Sequence, residues 1–179
     1  MFDQEQFLKE GLYNFPDKSF ESFGWFQMAE TTFRHILDIL PEGKTILELG
    51  SGWVSTQLAK HYKVYTVEEN KEYLNKHENV NYIHIPVVAT INYYNPIELE
   101  KKLPKDYDLL IVDGPAVSSR DGRKGFLKNL SLFKTDVPIF FDDTHMHAVH
   151  NTFVNVALKL NKVPHLFVGD VTKSYGVLL

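Results

Sequence analysis

The chain has 179 residues and no cysteine, with 19 Lys and Arg against 23 Asp and Glu, so its formal net charge is −4. That size suits one domain, and 44% hydrophobic with 23% charged residues is a globular rather than a disordered composition. The acidic balance argues against a general nucleic-acid binder, while the missing cysteine excludes disulfides, thiolate zinc sites and a Cys nucleophile. No apolar run is long enough to span a bilayer, and Met1-Phe2-Asp3-Gln4-Glu5 lacks the start of a signal peptide. A cytoplasmic single domain over residues 1–179 is expected.

Residues 1–26 are dense in aromatics, from Phe2 and Phe7 to Trp25 and Phe26. They predict a short helix and a loop, a candidate lid. Met28, Phe33, Ile36, Leu37 and Leu40 fall near helical spacing, so an amphipathic helix is expected to end at Pro41 and Gly43. From Thr45 onward strands and helices alternate. Strands are expected at 45–49, 64–67, 81–85, 108–112 and 138–141, and helices at 54–61, 71–77, 96–103, 123–133 and 145–160. Residues 87–106 carry no clear period outside the short helix at 96–103. His165 to Val168 and Tyr175 to Leu179 follow as two strands with few residues between, which predicts a terminal hairpin. The alternation implies an α/β fold, a mostly parallel sheet covered on both faces.

In such sheets ligands sit at the carboxyl ends of the strands. After the first strand comes Glu48-Leu49-Gly50-Ser51-Gly52-Trp53-Val54-Ser55. The glycines allow a tight turn and close approach of a ligand, and Ser55 is a candidate helix cap. This is neither a Walker A loop nor a complete Gly-x-Gly-x-x-Gly. The second strand ends at Glu68, 18 residues after Gly50, where a carboxylate can accept from both ribose hydroxyls of an adenosine.

These segments, with Tyr107-Asp-Leu-Leu-Ile-Val-Asp113-Gly114-Pro115 and Ile139-Phe-Phe-Asp142-Asp143-Thr144, resemble the successive motifs of class I S-adenosylmethionine-dependent methyltransferases. The small bacterial O-methyltransferase-like group is the nearest in flavour. The resemblance covers about residues 27–179 and implies a Rossmann-like seven-stranded sheet of order 3-2-1-4-5-7-6 with the last strand antiparallel. It implies S-adenosylmethionine as cofactor. Glu48 matches the position that contacts the methionine amino group. Gly50, Ser51 and Gly52, with Trp53 and Ser55 behind them, match the loop beside methionine and ribose. Glu68 matches the ribose carboxylate, and Asp113 and Gly114 border the same pocket. After the third strand many relatives place an acidic residue for adenine, whereas this chain has Ile85-Pro86-Val87-Val88.

Methyl transfer to a hydroxyl or amine needs positioning and a base. Candidates are His145, Asp113 and Asp143. By resemblance to metal-dependent catechol-type relatives, Asp113, Asp142 and Asp143 could hold Mg²⁺, a cation that prefers oxygen ligands. A zinc site from His145, His147 and His150 is disfavoured, because on a helix only 147 and 150 share a face. Arg120 or Arg123 could grip a substrate carboxylate or phosphate. The expected activity is methyl transfer from S-adenosylmethionine to oxygen or nitrogen of a small molecule, with no nucleic-acid or membrane partner. The rivals are a non-catalytic adenosyl-ligand or partner-binding module and a nicotinamide oxidoreductase. The acceptor and oligomeric state are left open.

Overall fold

The computed structural model describes residues 28–116, 121, 123–169 and 173–179. The lid expected over 1–26, and Arg120, lie outside the described residues.

Helix α1 (Glu30–Ile39) turns Thr31, Thr32, His35 and Ile36 inward and stops where Leu40 becomes extended before Pro41. Then come β1 (Thr45–Leu49), α2 (Trp53–Leu58), β2 (Lys63–Glu68) and β3 (Val80–His84). A small hairpin, β4 (Val87–Val88) with β5 (Tyr93–Tyr94), precedes α3 (Pro96–Lys102) and β6 (Leu109–Val112). The chain closes with α4 (Lys124–Lys128), β7 (Ile139–Phe141), α5 (His147–Leu160), β8 (Pro164–Val168) and β9 (Ser174–Leu178).

The seven-stranded sheet has the order β3-β2-β1-β6-β7-β9-β8, and β9 runs antiparallel to both β7 and β8. This is the order that the family resemblance implies, with strands counted along the sheet. The strands read as apolar runs because both sheet faces are covered. On one face Leu47, Leu49, Phe141 and Phe153 share a core with Tyr93, Tyr94 and Phe126. On the other, Ile46, Ile111 and Phe140 pack with Ile36, Leu58 and Tyr175. Each such side chain, fully buried, is worth about 1.5–3 kcal/mol of transfer free energy.

Three expected helices are changed by local hydrogen bonding. Residues 71–77 form only a 3₁₀ turn, Lys71–Tyr73, because the Asn70 side chain accepts from Glu72 N and Asn75 turns left-handed at φ 58°. The segment also lacks an apolar face to bury, and Tyr73 is exposed. The helix expected at 123–133 breaks at Asn129 into α4 and a second 3₁₀ turn, Leu130–Leu132. The last long helix begins at His147 rather than 145, since Asp143 is left-handed at φ 60° and Thr144 N donates to Ser174 O on β9.

Register sets the site. Leu49 lies opposite both Val67 and Val112, and Val112 lies opposite Phe141. The residues at or just past these ends, Gly50, Glu68, Asp113 and Asp142, therefore emerge along one sheet edge. They flank the β1–β6 boundary, where the strand order reverses and an open α/β sheet offers a crevice.

Candidate functional site

The turn after β1 and the end of β2 are tied together. The Ser51 backbone N–H donates to Glu68 Oε2 at 3.2 Å, and the Ser51 hydroxyl donates to the same oxygen. Asn70 N donates to Glu68 Oε1 at 2.7 Å. Gly50 sits at φ +93°, and a Cβ built there would lie 3.0 Å from Gly114 N. The turns after β1 and β6 thus touch backbone to backbone, which only glycine permits at both positions. Trp53 opens α2 and packs against the second core.

Glu48 and Ser55 lie beneath this turn. Ser55 Oγ accepts from Gly52 N at 2.9 Å and donates to Glu48 Oε2 at 2.6 Å. Ser55 thus secures the helix start from its third position rather than as the cap. Burial pushes the Glu48 carboxyl up to about 7; the Ser55 and Thr66 hydroxyls pull it back and the Glu68 charge adds to the rise. Since its ordinary value is 4.5, the folded chain holds a proton here that the unfolded chain has lost. The stability this contributes is present below about pH 4.5 and disappears as pH rises through about 7. Glu48→Gln, a neutral isostere, is expected to match the wild type near the lower limit. It should exceed the wild type by an amount of order 3 kcal/mol above the upper one. Urea unfolding at both extremes measures the difference. An equal gap at the two extremes would refute the buried-proton account.

The carboxylate half stands one strand over. One oxygen from each of Asp113, Asp142 and Asp143 lies within 4.8 Å of the others. Burial, then the Asp142 charge, holds the Asp113 carboxyl well above the usual range, against the pull of Arg123. Asp142 is pushed up to about 6 by burial and Asp143, with Lys173 and Arg123 opposing. The arginine expected to clamp substrate is instead part of this group. Arg123 is 2% exposed; Nη2 donates to Asp113 Oδ1 and Asp143 Oδ2, each at 2.9 Å, and Nη1 donates to the Asp142 carbonyl at 2.7 Å. It has no face for a substrate anion, because its charge is spent on its own carboxylates.

His145 is exposed in the turn before α5 and is not one of the converging acids. His147 pairs with Asn151 at 3.0 Å on the exposed side of α5. Two further residues join the site without having been expected. Glu69 accepts from Ala116 N at 2.9 Å and so holds the turn after β6 against β2. Lys173 places its Nζ 3.9 Å from Asp142 and 3.7 Å from Asp143. Neither has a sequence signal, since each acts across strands far apart in the chain.

No protein-family model matches the sequence, and neither does any curated protein. Solved structures do superpose over nearly the whole chain. An O-methyltransferase from Bacillus cereus, in complex with S-adenosylhomocysteine, is 14% identical at TM-score 0.63, covering 97% of this chain and 96% of that one. The O-methyltransferase TomG from Streptomyces achromogenes, involved in tomaymycin synthesis and solved with S-adenosylmethionine, is 15% identical at TM-score 0.63, covering 100% and 99%. A precorrin 8W decarboxylase from Methanobacterium thermoautotrophicum is 14% identical at TM-score 0.58, covering 99% and 98%. The chain has the class I methyltransferase fold.

Within this methyltransferase fold the two halves differ in what they can hold. Glu68, 4% exposed, ends β2 at the glycine turn and is held there by Ser51 and Asn70. The Mg²⁺ expected at Asp113, Asp142 and Asp143 does not suit the residues present. The acids converge, but the Arg123 guanidinium already bonds two of them and Lys173 stands beside the third. No described helix is long and apolar enough to cross a membrane.

Proposed function

We propose that the chain binds S-adenosylmethionine at the ends of β1 and β2 and transfers its methyl group to an oxygen, or else a nitrogen, of a small molecule. The observation that carries this is Glu68, which ends β2 level with the Gly50–Gly52 turn and is tied to it through Ser51. A carboxylate has about four acceptor positions, and three donors use them here. A ribose diol takes the remaining position and replaces the rotatable Ser51 hydroxyl. Adenine then rests towards Ile85 to Val88, where the chain offers apolar side chains rather than an acid.

When bound, S-adenosylmethionine supplies an electrophilic methyl group on a sulfonium. The protein must then align the acceptor and take its proton. Asp113 and Asp143 are the groups for that role. Their side chains are 27% and 21% exposed, so they border solvent at the cofactor edge while Arg123 fixes their inner oxygens. Burial and the Asp142 charge raise the Asp113 carboxyl, and a more basic carboxylate takes a proton more readily than an ordinary one. The acceptor approaches from the same sheet edge.

Thermal unfolding with S-adenosylmethionine, S-adenosylhomocysteine, NAD⁺ or no ligand tests the cofactor. A ligand at about 100 times its Kd stabilises by about 2.7 kcal/mol, or roughly 5–11 °C for a chain of this size. A shift with the two adenosyl ligands alone is expected. No shift with either at millimolar concentration would remove the methyltransferase reading and leave the fold. The decarboxylase neighbour illustrates that one fold hosts more than one chemistry. A shift without turnover across an acceptor screen would favour the binding-module reading.

A further inference from the structure

Three carboxylates in one corner, the middle one buried and the other two half-buried, call for a nearby cation. When all are ionised Asp113, Asp142 and Asp143 carry three negative charges, and Asp142 is only 2% exposed. Such a trio of oxygens is suited to a divalent ion. Here the countercharge comes from the chain itself. Arg123 projects from a left-handed residue, φ 57°, at the start of α4. Its Nη2 bridges Asp113 and Asp143 at 2.9 Å each, and its Nη1 is fixed on the Asp142 carbonyl. Lys173 Nζ, from the segment before β9, stands within 4 Å of Asp142 and Asp143 and supplies a second positive charge.

We infer that Arg123 is the resident cation of this carboxylate group, taking the place of a divalent metal ion, so that the group needs no metal. An ion bound among the three acids would stand against the guanidinium, which already bonds Asp113 Oδ1 and Asp143 Oδ2, and against Lys173 Nζ within 4 Å of Asp142 and Asp143. Displacing Arg123 from those two acids would leave its Nη2 without a partner on a side chain that is 2% exposed, with only Nη1 still held by the Asp142 carbonyl. A planar fork is suited to bridging two carboxylates, a geometry a lysine point charge would not reproduce. The buried Nε of Arg123 and Oδ1 of Asp142 have no partner among the described residues, so the group is held by charge rather than by complete hydrogen bonding. The inference does not depend on methyl transfer, because metal binding can be read without any reaction.

The test is calorimetric titration of the wild type and of Arg123→Met with Mg²⁺ and Mn²⁺, beside thermal unfolding with each ion or with EDTA. The wild type is expected to give no isotherm up to millimolar metal and the same Tm with EDTA. Arg123→Met, prepared in millimolar Mg²⁺, should bind one ion per chain and gain about 5–11 °C at roughly 100 times the Kd. Adding Asp143→Asn should abolish that gain. One Mg²⁺ or Mn²⁺ bound by the wild type and lost in Asp143→Asn overturns the inference. So does a folded Arg123→Met that ignores both ions. If Arg123→Met does not fold even in Mg²⁺, the wild-type titration decides: a silent titration upholds the inference, and a stoichiometric isotherm overturns it. Loss of adenosyl-ligand binding would leave these outcomes unchanged, so the two readings fail separately.

Discussion

Replacing Glu68 by Gln is expected to weaken S-adenosylhomocysteine binding about 10- to 100-fold. The wild-type carboxylate offers charged acceptors to both ribose hydroxyls, whereas an amide offers one neutral acceptor and two donors. Hydrogen bonds to a charged group are worth about 1.5–3 kcal/mol, which is that range of affinity. The folded chain should tolerate the change better than the ligand does. The amide oxygen of the variant can still accept from Asn70 N or Ser51 N, which the carboxylate now serves at 2.7 and 3.2 Å. Calorimetric titration of wild type and variant measures the ratio, with unliganded Tm as the check on folding. Unchanged affinity would place the cofactor away from the end of β2 and remove the observation on which the proposed function rests.

Gly114→Ala should cost of order 3 kcal/mol and with it the pocket. A Cβ on Gly114 would lie 2.8 Å from both Cα and N of Gly50 and would press on the Tyr94 hydroxyl. Gly50 cannot yield, since it is already at φ +93° and its N–H donates to Val67 O on β2. The added methyl therefore separates the turns after β1 and β6. At roughly 2–4 °C per kcal/mol the Tm should fall by about 6–12 °C. Adenosyl-ligand affinity should fall with it, because Ser51 belongs to the displaced turn and Glu68 at the end of β2 is tied to it. Gly43 is the control: it has φ +79° but open space around its Cβ position, so Gly43→Ala carries backbone strain alone, about 1 kcal/mol. Equal losses at the two sites would show that the close approach of the two turns carries no energy.

The fold was legible because its signals are local. Runs such as Leu109 to Val112 are apolar at every position since both faces of their strands are covered, and that pattern needs no knowledge of neighbours. Alternation with helices then prescribes a parallel sheet, and the short link between the last two strands prescribes a hairpin. Glu68 and the glycine turn were legible for the same reason: each lies at the end of its strand. Residues 71–77 misled because Asn70 and Asn75 have polar side chains and left-handed tolerance that offer the backbone a competing turn.

Strand order, the turn after β1, the carboxylate ending β2 and the acids after β6 and β7 were all readable from the linear chain and its family resemblance. What those acids face was not. Arg123 is 10 residues from Asp113 and 20 from Asp143, and Lys173 lies beyond β8, just before the last strand. Hydrophobic periodicity records which face of an element is buried, but charge pairing depends on distance in space. The choice between a substrate clamp, a metal centre and an internal ion pair was therefore made only when three loops met at one sheet edge.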